Sequence, residues 1–298
     1  MINQFKQQFS KLNHLLKLAY IFSAGALAGC SPVNLLNGLV PTDGHTLTPN
    51  IAYGELARQK LDIYIPNDKA ASGNKKLMPV VLFIYGGSWD SGEKKDYLFA
   101  AEAFTSKGYL TVIPDYRLFP EVKFPAFIDD AALASKWVKS HIAEYGGDPD
   151  HIFIVGHSAG AQIGLMLDLN TEYLARVNLK PDAFKGYIGL AGPYDFLPLK
   201  SQRLKNIFGP EETRWQSQPI NYVTGKNQPT LLLVGLKDDI VWPKNTFNLA
   251  KAIEAKKGPV KVVEFPDYGH IDMISKIAKP FRDNTTLLDE MVLFMHNN

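Results

Sequence analysis

A serine stands between two glycines in Gly156-His157-Ser158-Ala159-Gly160, where the apolar run "HIFIV" gives way to "AGAQIGLML". A G-x-S-x-G pattern at a strand-to-helix turn forces the serine into a strained conformation and lifts its hydroxyl above the sheet edge. The glycines are needed there because a bulkier neighbour collides with strand or helix. A tight turn alone would also use glycines, so the motif must be weighed with the rest of the chain. A serine hydroxyl is a weak nucleophile. Chemistry at Ser158 therefore needs a general base, and that base needs an acid to orient it.

In parallel α/β sheets functional groups gather beyond the carboxyl ends of the strands. Of seven histidines, His270 in "FPDYGH" is the one expected there, at the end of a late strand. His14 falls in a basic N-terminal stretch, His45 in a polar segment and His296 near the C-terminus. His141 and His151 flank their helix and strand at the wrong end, and His157 is expected to direct its ring away. The acid has three candidates. Asp238 and Asp239 follow the apolar run "LLLVGLK", and Asp195 lies in "AGPYDF". Adjacent residues point in different directions, so at most one of the pair orients His270; Asp238 is favoured, with Asp239 and Asp195 left open. Developing negative charge on a carbonyl oxygen needs donors aimed at it. The backbone N–H of Ala159 is one, and those of Gly87 and Ser88, in "FIYGGSW", are the others expected.

These groups need a scaffold. "LDIYIP" alternates like a half-buried edge strand, whereas "KKLMPVVLFIYGG" is a continuous apolar run, as in a strand buried on both faces. Further strands are read in "YLTVIPDYR", "HIFIVGHS", "FKGYIGLAG", "PTLLLVG" and "VKVVEFPDYGH". Helical spacing marks 124–145, stopped by Gly146 and Gly147, then "AGAQIGLMLDL", about 244–257, and a C-terminal "TTLLDEMVLFMHN". The alternation implies an α/β class with a mostly parallel sheet covered on both faces. A single domain is expected over 56–298, preceded by a tether over 30–55 in which Pro, Asn, Gly and Thr abound without a period. The interval 193–228 breaks the pattern and is expected to form a small cap that roofs a pocket.

Hydrophobic content of 46% and charged content of 21% are those of an ordinary globular chain. The formal charge of +2 is not concentrated anywhere, which argues against a nucleic-acid partner. No His/Cys cluster has metal-ligand spacing, so no metal is expected.

The ordered motifs "YGGSW", "DYRLFPEVKFPAFIDDA", "YGGDPDHIFIVGHSAGA", "GLKDDIV" and "PDYGH" resemble the α/β-hydrolase fold. Within that fold the resemblance is to bacterial carboxylesterases related to hormone-sensitive lipase and kynurenine formamidase, over roughly residues 60–295. It implies a nucleophile–acid–base order of Ser158, Asp238 and His270. Its G-x-x-D-x-x-V pattern, met by Gly235, Asp238 and Val241, favours Asp238 over Asp239. It also implies hydrolysis of an ester without a cofactor; a near-neutral charge without the N-terminal lysines and the lack of long apolar segments favour small, moderately apolar esters. An aryl-formamidase using the same three residues, and a non-catalytic envelope binding module, are the alternatives. One departure is Tyr85, where the group's oxyanion loop usually begins with histidine. Asp115 and Arg117, in "DYR", are expected to fix the loop beside the site.

At the N-terminus, Lys6, Lys11 and Lys17 precede about twelve uncharged residues that stop at Cys30, the sole cysteine. The apolar stretch is shorter than the roughly 20 residues a membrane span needs, and it fits a secretory signal over 1–29. "LAGC" resembles the lipobox of bacterial lipoproteins, which implies lipidation of Cys30 and membrane attachment through that anchor alone. Ser31 resembles the sorting position of lipoproteins sent to the outer membrane. Loss of the three lysines would take the net charge from +2 to −1.

Overall fold

The structure is a computed structural model and describes residues 32–67 and 77–298. The expected leader over 1–29, Cys30 and Ser31 lie outside the described residues. Among the described residues eight strands form one sheet: β1 His45–Ala52, β2 Lys60–Pro66, β3 Met78–Ile84, β4 Leu110–Pro114, β5 Gly147–His157, β6 Gly186–Leu190, β7 Thr230–Gly235 and β8 Val260–Phe265. Their order is β1-β2-β4-β3-β5-β6-β7-β8. β1 pairs antiparallel with β2, and β2 with β4. From β4 through β3 to β8 every pairing is parallel.

β4, β6 and β7 are buried along their whole length, and β3 nearly so. That burial is why these strands read as unbroken apolar runs and not as alternations. The helix Ala159–Leu169 is buried at every residue and follows β5 directly. The helix Ala126–His141 runs on through a 3₁₀ turn, Ile142–Tyr145, and stops at Gly146, whose φ of 83° only glycine adopts readily.

Three parts of the architecture differ from expectation. The segment 30–55 is no tether where it is described: it carries a helix, Pro32–Asn37, and the edge strand β1. β1 hides from pattern reading because only His45 of its eight residues is buried. It is held by pairing with β2 and by Asp62 Oδ1, which accepts from the Asn50 N–H at 2.8 Å and pairs with Lys94 Nζ at 2.8 Å. With β1 outside it, "LDIYIP" is not an edge strand, and Leu61 to Tyr64 are buried. A helix at Leu98–Thr105 has no counterpart in the sequence pattern. Seven of its eight residues are buried, so it shows no polar face from which a period could be read.

Candidate active site

The parallel sheet brings the carboxyl ends of β3, β5 and β7 together, and each contributes to one site. At the end of β5, Ser158 has φ 53° and ψ −122°, a conformation rare outside glycine. The two glycines of its motif are fixed by contact. A Cβ at Gly156 would lie 2.4 Å from the Gly160 carbonyl oxygen, and one at Gly160 would lie 2.0 Å from that of Ile84. The Ser158 N–H donates to the Leu190 carbonyl at 2.9 Å, tying the turn to β6. The strain at Ser158 is therefore held on two sides by packed backbone.

His270 arrives on the loop after β8. Its Nε2 lies 2.9 Å from Ser158 Oγ, and its Nδ1 lies 2.8 Å from Asp238 Oδ2. The Asp238 side chain is fully buried, and its second oxygen accepts from the N–H groups of Ile240 (3.0 Å) and Val241 (2.8 Å). Those bonds fix the carboxylate, so that the imidazole donates from Nδ1 and leaves Nε2 to accept from the serine. Asp239 is exposed. Asp195 accepts from Asn248 Nδ2 at 2.6 Å, away from His270. The geometry therefore brings together Ser158, His270 and Asp238, and neither of the other two aspartates.

His157 departs from expectation. Its ring is not turned away: it lies 4.9 Å from the His270 ring, with Nε2 3.3 Å from the His270 carbonyl oxygen. Burial, reinforced by the neighbouring His270, lowers its pKa to about 3. His157 is thus a neutral wall that steadies the backbone of His270. Nothing in the sequence signals this, because the contact joins the end of β5 to the loop after β8, and those two strands are not neighbours in the sheet.

The loop after β3 supplies the remaining groups. Gly87, Ser88 and Trp89 all have positive φ (125°, 51° and 63°), and Gly87 and Ser88 line the same pocket as Ser158 and His270. Only Gly87 adopts that conformation without strain. Ala159 follows Ser158 at the first position of its helix. Its N–H has no intrahelical acceptor there and is available to an anion.

Below this loop Tyr85 is fully buried between the rings of Tyr116 (4.7 Å) and Tyr97 (5.1 Å). Its hydroxyl donates to Asp115 Oδ1 at 2.8 Å and accepts from Arg58 Nη2 at 2.9 Å. Arg58 also donates to the carbonyl oxygens of Tyr116 and Gly92, and the Lys94 N–H donates to Asp115. Burial raises the Tyr85 pKa well above the ordinary value, so the phenol keeps its proton. Asp115 thus holds the loop as expected, through Tyr85. Arg117 instead forms a bidentate pair with the buried Asp130, with both bonds at 2.8 Å.

The pocket has a volume of about 360 Å³ and mostly apolar walls. None of its lining residues comes from 193–228, so the expected cap does not roof it. That excursion packs behind the loop instead. Trp89 lies against Phe196 (5.8 Å) and Phe208 (4.8 Å), and its Nε1 donates to Gln162 Oε1. The walls come from elsewhere: Val33 and Leu36, Tyr97 and Phe99, and Ile271, Ile274 and Phe281. A buried ion pair, Arg282 to Glu102 at 2.6 and 2.9 Å, joins the last two of these groups. Among the described residues no cluster of three or more His, Cys, Asp or Glu side chains is arranged to hold a metal ion.

A family model, BD-FAE, matches residues 61–253. The chain is 28% identical over 264 residues to a probable isoprenylcysteine alpha-carbonyl methylesterase of Arabidopsis thaliana, covering 81% of this chain and 53% of the relative. It is 25% identical over 250 residues to the kynurenine formamidase of Salmo salar, covering 82% and 81%. The chain spans between a third and two thirds of the length of the methylesterases it matches. Among solved structures, an inhibited esterase B from Lactobacillus rhamnosis superposes with a TM-score of 0.76 at 19% identity, covering 94% of this chain and 96% of that one.

Proposed function

The chain belongs to the BD-FAE family and has the α/β-hydrolase fold, and from that premise we propose that it is a serine hydrolase of short-chain carboxylic esters. The observation that carries this reading is the hydrogen-bonded series Ser158 Oγ, His270 Nε2, His270 Nδ1, Asp238 Oδ2, with both contacts under 3 Å, at the floor of an apolar pocket. His270 takes the Ser158 proton as Oγ attacks the ester carbonyl. The carbonyl electron pair moves to oxygen, where the N–H groups of Gly87, Ser88 and Ala159 stabilise the negative charge. The pair then returns, the C–O bond to the alcohol breaks, and His270 gives the leaving alcohol its proton. Asp238 stabilises the imidazolium in between. Water repeats the sequence in the second half and frees the acid and Ser158. No step calls for a cofactor.

The pocket volume lies at the small end of ligand sites, which suits a short acyl chain. A formamide in place of the ester is the second reading. The formamidase of Salmo salar favours it, being matched over 81% of its own length where the methylesterases are matched over less. Cys30 is the proposed lipid attachment site, after removal of residues 1–29. The protein is then held in the bacterial envelope, at the outer membrane, with a small ester as its partner.

The test is hydrolysis of p-nitrophenyl acetate, butyrate, octanoate and palmitate by the chain beginning after Cys30, beside Ser158→Ala. Turnover that falls with chain length and drops at least about 10⁴-fold in the variant supports the esterase. Ser158-dependent cleavage of N-formylkynurenine alone selects the formamidase. No reaction of Ser158 with a fluorophosphonate overturns both and leaves a binding module.

A further inference from the structure

The helix Pro32–Asn37 begins two residues after Cys30. A chain reaches at most about 3.6 Å per residue, so whatever is attached at Cys30 starts within about 7 Å of Pro32. The next residue, Val33, lines the pocket that holds Ser158 and His270, and so does Leu36. The lining of the site and the proposed anchor are therefore contiguous in the chain.

The mouth of that pocket is apolar and open to solvent. Ile240 and Ile271 line it while 63% and 53% exposed. Leu39, just beyond the helix, is 50% exposed, and Trp242, two residues past Ile240, is 60% exposed. Single exposed apolar residues are ordinary. Here Ile240 and Ile271 line one pocket with Val33 and Leu36, and Trp242 and Leu39 follow within three residues on the same segments of chain, which marks a surface for an apolar partner. Lysines accompany the aromatics: Lys244 Nζ lies 5.8 Å from the Trp242 ring, and Lys276 Nζ lies 6.0 Å from that of Phe281. Trp beside Lys suits the headgroup level of a bilayer, where the ring is half in hydrocarbon and the ammonium faces phosphate. Asp239, exposed in the same loop, must stay on the water side of that level.

We infer that the pocket opens onto the bilayer that holds the anchor, and that its substrate is an ester dissolved in that bilayer. The small end of the molecule enters the pocket, and its long apolar part stays among the lipid chains. This rests on the proposed hydrolase and on lipidation of Cys30. The anchor keeps the mouth at the surface, raising the local concentration of membrane-dissolved esters over those in water.

The test uses the full chain produced with its own leader, beside Cys30→Ser, each added to vesicles of phosphatidylethanolamine and phosphatidylglycerol. Two substrates are supplied: hexadecyl acetate dissolved in the vesicles and p-nitrophenyl acetate in the water. The lipidated form is expected to turn over the embedded ester, relative to the dissolved one, at a ratio about tenfold or more above that of Cys30→Ser. Trp242→Glu is expected to lower that ratio. Brominated-chain lipid is expected to quench tryptophan fluorescence in the parent and to quench it less in Trp242→Phe.

Equal ratios with unquenched Trp242, while p-nitrophenyl acetate is still cleaved, overturn the inference and leave the hydrolase standing. Loss of turnover on both esters overturns the hydrolase and the substrate assignment with it, even if Trp242 is quenched. An unmodified Cys30 in the mass of the N-terminal peptide removes the premise and overturns the orientation.

Discussion

The Tyr85 hydroxyl and Asp115 Oδ1 meet at 2.8 Å, linking the residue after β3 to the residue after β4 beneath the loop of Gly87 and Ser88. This bond ties down the loop from a position where the group that the sequence resembles usually has a histidine. Tyr85→Phe keeps the ring stack and removes only the hydroxyl, leaving Asp115 and Arg58 each short of a partner. The expected result is a loss of about 1–3 kcal/mol in stability. For p-nitrophenyl acetate a kcat about tenfold lower with KM little changed is also expected, because misplaced donors act on the transition state and not on ground-state binding. Denaturant melts and steady-state kinetics on the same preparation separate the two effects. An unchanged kcat at lower stability would make Tyr85 a scaffold residue only.

The three aspartates considered for the acid should separate cleanly. Asp238→Asn keeps the shape and removes the charge that selects the His270 tautomer, and kcat is expected to fall by about 10⁴-fold. Asp239→Asn alters an exposed side chain, and Asp195→Asn one bound to Asn248. Both are expected to stay within about twofold of the parent, given the small effects of substitutions away from a site. Comparable losses at Asp238 and Asp195 would contradict the assignment.

His157 and Asp168 should pull the pH dependence of stability in opposite directions. The His157 pKa is lowered to about 3 in the fold, so the unfolded chain binds the proton first. Stability from this group is present above about pH 6.5 and is lost as the pH falls towards 3. Asp168 is raised to about 7 by burial, against hydrogen bonds from the Gln228 N–H and the Thr230 hydroxyl. Its contribution is full below about pH 4 and is lost as the pH rises through 7, a cost on the order of 4 kcal/mol above that. Asp168→Asn is therefore expected to raise the melting temperature at pH 8 more than at pH 5. A larger gain at pH 5 would reverse the sign and refute it.

Arg282→Ala should act on the pocket wall. It leaves Glu102 buried without its partner, at a cost of about 3–5 kcal/mol. Phe281, beside the lost guanidinium, and Phe99, on the helix of Glu102, both line the pocket. A raised KM for longer acyl chains is expected in addition, and Arg282→Lys should restore part of both. Unaltered chain-length preference would mean that the pair holds the helices without shaping the pocket.

The groups that meet at Ser158 were legible because their signals are local. Gly156 and Gly160 mark backbone crowding, and Asp238 and His270 sit just past apolar runs whose register places them at one edge of the sheet. What could not be read depends on contacts between distant segments. β1 has one buried residue and no alternation to detect. The 193–228 excursion has the composition of a cap, yet Phe196 and Phe208 turn toward Trp89, while Trp215 stacks on Tyr222 and stays half-exposed. The elbow alone does not show that the backbone of His270 returns to His157. Tyr85 departs from the sequence pattern, and its partners, Arg58 and Asp115, converge on it from other loops.

The pocket wall has a consequence for the order in which the protein becomes competent. Val33 and Leu36 lie more than 240 residues before Phe281 in the chain, so the cavity cannot close before Phe281 is synthesised. A nascent chain that has not reached it would have its serine turn without a substrate enclosure, and ester cleavage would wait for the last wall to be made.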